Sequence, residues 1–163
     1  MSAPGRPTAS TLPYRPCVGM MMLNKEGRVF VGKRIDQTLE GWQMPQGGID
    51  DGEDPRTAAL RELEEEIGTR KVDFLREHPD WLTYDLPPRL VGVALQGRYR
   101  GQKQKWFALR FTGEDSDIDV ETPHQEFSEW RWLDAGEILS LIVPFKRGTY
   151  AQVLAAFHDL TKA

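Results

Sequence analysis

Residues Gly47–Thr69 read GGIDDGEDPRTAALRELEEEIGT, a glycine loop that feeds a short acidic helix. Asp54 suits the N-cap, where its carboxylate accepts from the free N–H groups of the first turn. Pro55 suits the first helical position, where a missing N–H costs nothing. Gly68 offers a left-handed C-terminal stop. At 100° per residue, Ala59, Leu60, Leu63 and Ile67 fall on one stripe that faces a core. Glu62, Glu65 and Glu66 fall beside that stripe, at i, i+3 and i+4.

A run of acidic residues is usually a solvated face. Here the carboxylates crowd an apolar edge, and like charges at i, i+4 such as Glu62 and Glu66 destabilise an isolated helix by a few tenths of a kcal/mol. Stability alone would not select that placement. A hard divalent cation removes the repulsion and takes oxygen ligands readily. Arg61, four residues before Glu65, can pair with it and hold it in position.

Gly47, Glu53, Arg61, Glu62, Leu63, Glu65, Glu66 and Gly68 stand at the spacing of the Nudix box, and the chain resembles the Nudix hydrolases, which cleave nucleoside diphosphates linked to another group. One position departs from that pattern. Thr69 stands where the family carries a bulky apolar residue, which bears on packing and not on chemistry.

The remaining composition sets bounds. The chain has 163 residues, one domain's worth, with a net charge of −4 and a pI near 5.4. A polyanionic partner must therefore be met by a local basic patch. Cys17 is the single cysteine, so no internal disulfide forms, and its apolar setting points to a buried thiol. No apolar stretch reaches membrane-spanning length, and the N-terminus lacks a signal-peptide pattern. A cytoplasmic enzyme with no membrane partner is expected. No sequence feature bears on the oligomeric state.

In chain order, residues 1–13 are rich in Pro, Ser, Ala and Gly and read as a mobile tail, leaving 14–163 as a single domain. Strands are expected over Cys17–Leu23 and Arg28–Arg34, joined by a hairpin turn, with Met20, Met21 and Met22 as core. Ile35–Glu40 reads as a polar loop. Further strands are expected at Val72–Leu75, Trp81–Leu86, Leu90–Leu95, Trp106–Phe111 and Trp130–Leu133. Gly97–Lys105 reads as a basic loop and Gly113–Glu121 as an exposed acidic one. A short helix near Ala135–Leu141 precedes a terminal amphipathic helix marked by Tyr150, Val153, Leu154 and Phe157. Strands and helices intermix without regular βαβ alternation, so an α/β fold with a mixed sheet and helices on both faces is expected. The resemblance implies the same: a Nudix-type α/β/α sandwich.

Phosphoanhydride cleavage needs neutralised phosphoryl oxygens and an oriented water. Glu62, Glu65 and Glu66 are assigned to metal binding, with Gly47 allowing close backbone approach; Mg²⁺ is the expected ion and Mn²⁺ a substitute. Glu126 is a candidate for the base or for an additional metal ligand, and Glu62 competes for the role of base. The segment Gln125-Glu126-Phe127 resembles the place where bacterial RNA pyrophosphohydrolases carry such a glutamate. Arg15, Arg34, Lys103, Lys105 and Lys146 are candidates for the basic patch, and Tyr84 or Phe145 for stacking a base.

Tyr14-Arg15-Pro16, Trp42–Gly48, Gly101–Phe107 and Phe145-Lys146-Arg147 resemble the RNA pyrophosphohydrolase and dinucleoside polyphosphate hydrolase branch. That resemblance implies release of pyrophosphate from 5′-triphosphorylated RNA, or asymmetric hydrolysis of dinucleoside polyphosphates. Zinc and Walker-type phosphate loops are not expected, since no such motif occurs.

Overall fold

The computed structural model describes residues 11–35 and 41–161. Most of the expected tail and residues 36–40 of the expected polar loop lie outside them. Ten elements matter here. They are β1 (Tyr14–Leu23), β2 (Val29–Arg34), β3 (Trp42–Gln43), β4 (Gln46–Gly48), α1 (Pro55–Ile67), β5 (Val72–Glu77), β6 (Leu82–Asp85), β7 (Gly101–Phe111), β8 (Phe127–Leu133) and α2 (Arg147–Ala156).

One eight-stranded mixed sheet carries the fold, ordered β3-β2-β1-β7-β5, with β4 also on β1, β6 on β7 and β8 on β2. Its spine is the parallel pair β1–β7, in register from Tyr14 opposite Gly101 to Leu23 opposite Arg110. Both strands are covered on both faces, so they read as near-continuous apolar runs. Alternation then sorts their side chains. Val18, Met20, Met22, Phe107 and Leu109 pack beneath α1 with Ala58, Ala59, Leu63 and Ile67. Met21, Leu23, Trp106 and Ala108 face α2 with Tyr150, Val153 and Phe157. The α/β/α sandwich follows.

The start and stop signals of α1 work as expected. The Asp54 carboxylate accepts from the N–H groups of Arg56 and Thr57, and Gly68 at φ 78° donates its N–H to the Glu64 carbonyl. Within the apolar stripe Ala58 is buried where Leu60 was expected. Thr69, the unusual box residue, is also buried, and its hydroxyl accepts from the Lys71 N–H.

Three expectations are corrected. Leu90–Leu95 is not a strand. Pro88 starts a 3-10 turn over Pro88–Leu90, and Gly92 at φ 84° turns the chain again. The expected basic loop over Gly97–Lys105 is half strand, because β7 begins at Gly101. The acidic Gly113–Glu121 segment is not uniformly exposed: Ile118 and Val120 are buried in the α1-side core, and the Asp119 N–H bonds the Ile67 carbonyl.

Candidate active site

The acidic end of the site rests on a single arginine. Arg61 Nε and Nη2 donate to the two oxygens of Glu53 at 2.8 and 2.9 Å. Nη1 donates to Glu62 at 2.9 Å and reaches Glu65 at 3.3 Å, and Nη2 also reaches the Gly48 carbonyl at 2.9 Å. The planar guanidinium thus ties α1 to the glycine loop. The Arg61 hydrogen bonds hold the Glu53 carboxyl down at about 2. Glu62 moves the other way: burial raises it, against the pull of Arg61.

Glu66 is the outlier. It is 3 % exposed, and its Oε2 has no hydrogen-bond partner among the described residues. Burial first, then the charges of Glu62 and Glu126, push its carboxyl well above the ordinary range. An unpartnered buried oxygen beside two further carboxylates fits a cation-binding position, since oxygen donors of like charge are what a hard divalent ion gathers. Among the described residues no three such side chains already converge on one point, because Arg61 draws Glu62 and Glu65 toward itself.

The glycines of β4 separate the two ends of the site. A Cβ on Gly47 would lie 2.1 Å from Glu62, whereas a Cβ on Gly48 would lie 2.4 Å from Arg15. Successive strand residues point to opposite faces, so the acidic helix and Arg15 approach this bare edge from opposite sides.

Together they line a cavity of about 470 Å³. Its acidic wall holds Glu62, Glu65, Glu66 and Glu126, the last exposed just before β8. Its opposite wall holds Arg15, Arg34, Tyr84 and Lys146. Lys146 is 1 % exposed and donates to Gln43 at 3.2 Å; burial, with Arg34 adding repulsion, lowers its amine from 10.5 to about 7.

Two expected contributors do not reach the cleft. Lys103 and Lys105 leave β7 on the α1 side, opposite to Gln102 and Gln104; Lys103 lies over the Trp81 ring and Lys105 faces Glu77 at 3.7 Å. Phe145 stands behind the wall, its ring 5.6 Å from Tyr84, within a third apolar cluster.

Other lining residues were not named singly as candidates: Gln43, Gln46 and Gln102, which stand in the segments that carry the resemblance, and His124. Trp106 Nε1 donates to Gln104 at 2.9 Å, and the Gln104 amide donates to Gln102 at 2.8 Å and to Gln46 at 3.3 Å. That relay leaves the Gln102 amide nitrogen to serve as donor toward the cleft. Its signal was present in the period-2 spacing of Gln102, Gln104 and Trp106, which puts all three on one face of a strand.

The NUDIX domain signature matches residues 13–153. The chain belongs to the NUDIX family. It is similar to the RNA pyrophosphohydrolase of Cereibacter sphaeroides strain ATCC 17029, with 56 % identity across 91 % of this chain and 93 % of that one. The RNA pyrophosphohydrolase of Dinoroseobacter shibae is 57 % identical across 92 % and 95 %. Among solved structures, a C. elegans Ap4A hydrolase complex superposes with a TM-score of 0.65 at 19 % identity, covering 89 % of this chain and 98 % of its own. That likeness speaks for the NUDIX fold. The chain is a Nudix hydrolase acting on phosphoanhydrides, in a family whose members generally use divalent metal ions. Among the described residues no helix is long and apolar enough to cross a membrane.

Proposed function

We propose that this Nudix hydrolase, with residues 14–163 acting as one domain, releases pyrophosphate from 5′-triphosphorylated RNA and leaves a 5′-monophosphate. The observation that carries this reading is the likeness, over nine tenths of both chains, to proteins named RNA pyrophosphohydrolase. The cleft agrees chemically, since it sets cations and amide donors opposite a bank of carboxylates. A cytoplasmic setting and a part in RNA turnover go with the proposal.

Glu62, Glu65 and Glu66 are the residues that would hold Mg²⁺ or Mn²⁺, with Gly47 leaving their approach unobstructed. Bound there, the ion supplies charge neutralisation on phosphoryl oxygens and makes a water more acidic. Arg61 keeps Glu62 and Glu65 oriented through its hydrogen bonds. Arg15, Lys146 and the Gln102 amide receive the polyphosphate and the first nucleotide, and Tyr84 offers its ring edge to the base. Lys146, poised near neutrality, gains its proton as phosphate charge arrives, since a nearby anion favours the ammonium form.

Glu126 takes the proton from the attacking water. Glu62, the competing base, has an oxygen engaged by Arg61, whereas the exposed Glu126 carboxylate is the freer acceptor.

The test is a side-by-side kcat/KM for a 5′-triphosphorylated oligonucleotide and for diadenosine tetraphosphate, with pyrophosphate release monitored. The RNA end is expected to be preferred, and a hundredfold preference for the dinucleotide would reject the proposal. In the same assay Glu126→Gln should lower kcat by about ten- to a hundredfold, the lower range for a general base. An unchanged rate removes Glu126 from the chemistry.

A further inference from the structure

Trp106 lies fully buried on β7, two residues beyond Gln104 and on the same face of the strand. Its surroundings hold the ring in place. It meets Tyr150 edge-on at 5.6 Å and covers Gly19, where an added Cβ would come within 2.4 Å of it. The hydroxyl of the same Tyr150 accepts the Met44 N–H at 2.9 Å, which anchors the segment between Gln43 and Gln46. An indole nitrogen donates and never accepts. Gln104, itself buried, therefore turns its carbonyl oxygen toward Trp106 Nε1, at 2.9 Å.

That orientation propagates. A side-chain amide is nearly symmetric in shape but not in polarity, so a fixed oxygen also fixes the nitrogen. The Gln104 nitrogen donates to Oε1 of Gln102 at 2.8 Å and to Oε1 of Gln46 at 3.3 Å. Gln43 reaches the same state by another route, since its Oε1 accepts from Lys146 at 3.2 Å and from Arg34 at 3.4 Å. All three oxygens are engaged, and none of the three amide nitrogens has an acceptor among the described residues. Gln43, Gln46 and Gln102 line the cleft, whereas Gln104 and Trp106 do not. With Arg15, Arg34 and Lys146 beside them, these side chains present N–H groups to a ligand, and an ionised phosphate chain presents acceptors. A flipped Gln102 or Gln46 would instead set an oxygen lone pair against a phosphoryl oxygen.

We propose that Trp106 and Gln104 are positioning residues: through Gln102 and Gln46, one buried indole N–H keeps the cleft's amide nitrogens turned toward the polyphosphate. This rests on the reading of the cleft as a polyphosphate site, and it holds equally for an RNA end and for a dinucleotide.

The experiment measures, by titration calorimetry in Mg²⁺, the binding of a nucleoside triphosphate analogue with methylene groups in place of both anhydride oxygens. No turnover intervenes. Trp106→Phe keeps an aromatic ring and deletes the N–H; Gln104→Met keeps the length of the side chain and deletes the relay. Each should weaken the analogue about tenfold, the scale of one well-made hydrogen bond to a charged group. Circular dichroism checks the fold, and Gln104→Met carries the test with the Trp106 ring intact if Trp106→Phe does not fold. The deciding comparison is the background. In Gln46→Ala/Gln102→Ala no relayed amide is left to aim, so either substitution should then change affinity less than twofold. A merely structural role would weaken binding equally in both backgrounds, and that result would overturn the proposal. So would a Gln104→Met affinity within twofold of wild type, or no binding of the analogue by wild type. Pyrophosphate release from a 5′-triphosphorylated octanucleotide is scored separately. If wild type releases none while the relay governs analogue binding, the RNA reading falls and the relay stands.

Discussion

The two ends of the cleft handle buried charge in opposite ways. At the acidic end, Arg61 binds Glu53, Glu62 and Glu65 into one network, and among the described carboxylates only Glu66 is left with a buried oxygen unpartnered. At the basic end no carboxylate among the described residues bonds Lys146, and Glu66 acts on it only weakly as a charge; the amine leans on a neutral amide, Gln43, and burial lowers its affinity for a proton. One end stays charged by pairing, and the other sits close to discharge. The difference teaches where each end draws its stability. The acidic end is set by a local arginine, whereas the basic end is complete only when an anion arrives.

The strongest way to break this contrast is to displace the acidic end without touching a charge. Gly47→Ala puts a methyl group where Glu62 now packs, 2.1 Å from its carboxyl carbon. Misplacing a positioned group by about 1 Å can lower a rate on the order of a hundredfold, and kcat should fall by about that much. Circular dichroism should meanwhile show the fold unchanged. A rate within threefold of wild type would show that Glu62 can retreat at no loss.

Removing the lone anion should sharpen the contrast in the other direction. Glu66→Gln keeps the shape and deletes a buried charge. The folded pKa of Glu66 is raised, so the wild-type fold is penalised as pH climbs above the ordinary carboxylate range of 4.5. The variant escapes that penalty and should gain roughly 1–3 kcal/mol in urea unfolding at pH 8, the scale of one buried unsatisfied group. It should also lose turnover, and it should lose most of the rise in Tm that Mg²⁺ gives the wild type. A variant less stable than wild type at pH 8 without metal would mean that Glu66 has a partner in solution.

The basic end gives the gentlest test. The Lys146 amine is near 7 when folded and 10.5 when free, so between those values the unfolded chain holds the extra proton. Stability contributed by this group therefore rises with pH across that window, by at most about 1.4 kcal/mol per unit. Groups facing it, Arg34, Cys17 and Glu66, stay in place in Lys146→Met. That variant should flatten the rise, as measured by urea unfolding between pH 7 and 9.5. The same slope in both proteins would put the amine in water.

The same division governs what could be read beforehand. The acidic end lies almost wholly within Gly47–Gly68, where caps, stripe and carboxylates obey helical spacing, so local rules suffice. The basic end is assembled from β1, β2, β3, β6, β7 and the turn before α2. Arg15, Arg34, Tyr84 and Lys146 were legible as candidates, but charge alone could not separate them from Lys103 and Lys105. That distinction depends on the phase of β7, and reading its first residues as a loop erased the phase. Gln43 and Gln102 went unassigned for a related reason. A glutamine gains a role from the partner beside it, and those partners, Lys146 and Gln104, come from separate hydrogen bonds of the folded chain. Leu90–Leu95 misled because its apolar residues cover Tyr84 from a turn instead of extending a sheet.

The parallel ladder between β1 and β7 also carries a consequence for how the molecule is born. Tyr14 pairs with Gly101 and Leu23 with Arg110, so the central seam stays open until most of the chain has left the ribosome. Closing so distant a pair is slow in comparison with winding α1, which needs only its neighbours. The acidic helix is thus ready early and waits, its apolar stripe covered only in part by β1, for Phe107 and Leu109 of a strand made much later. A nascent chain halted before Gly101 leaves part of that stripe bare and offers no complete cleft, since Gln102 and Lys146 are still to come.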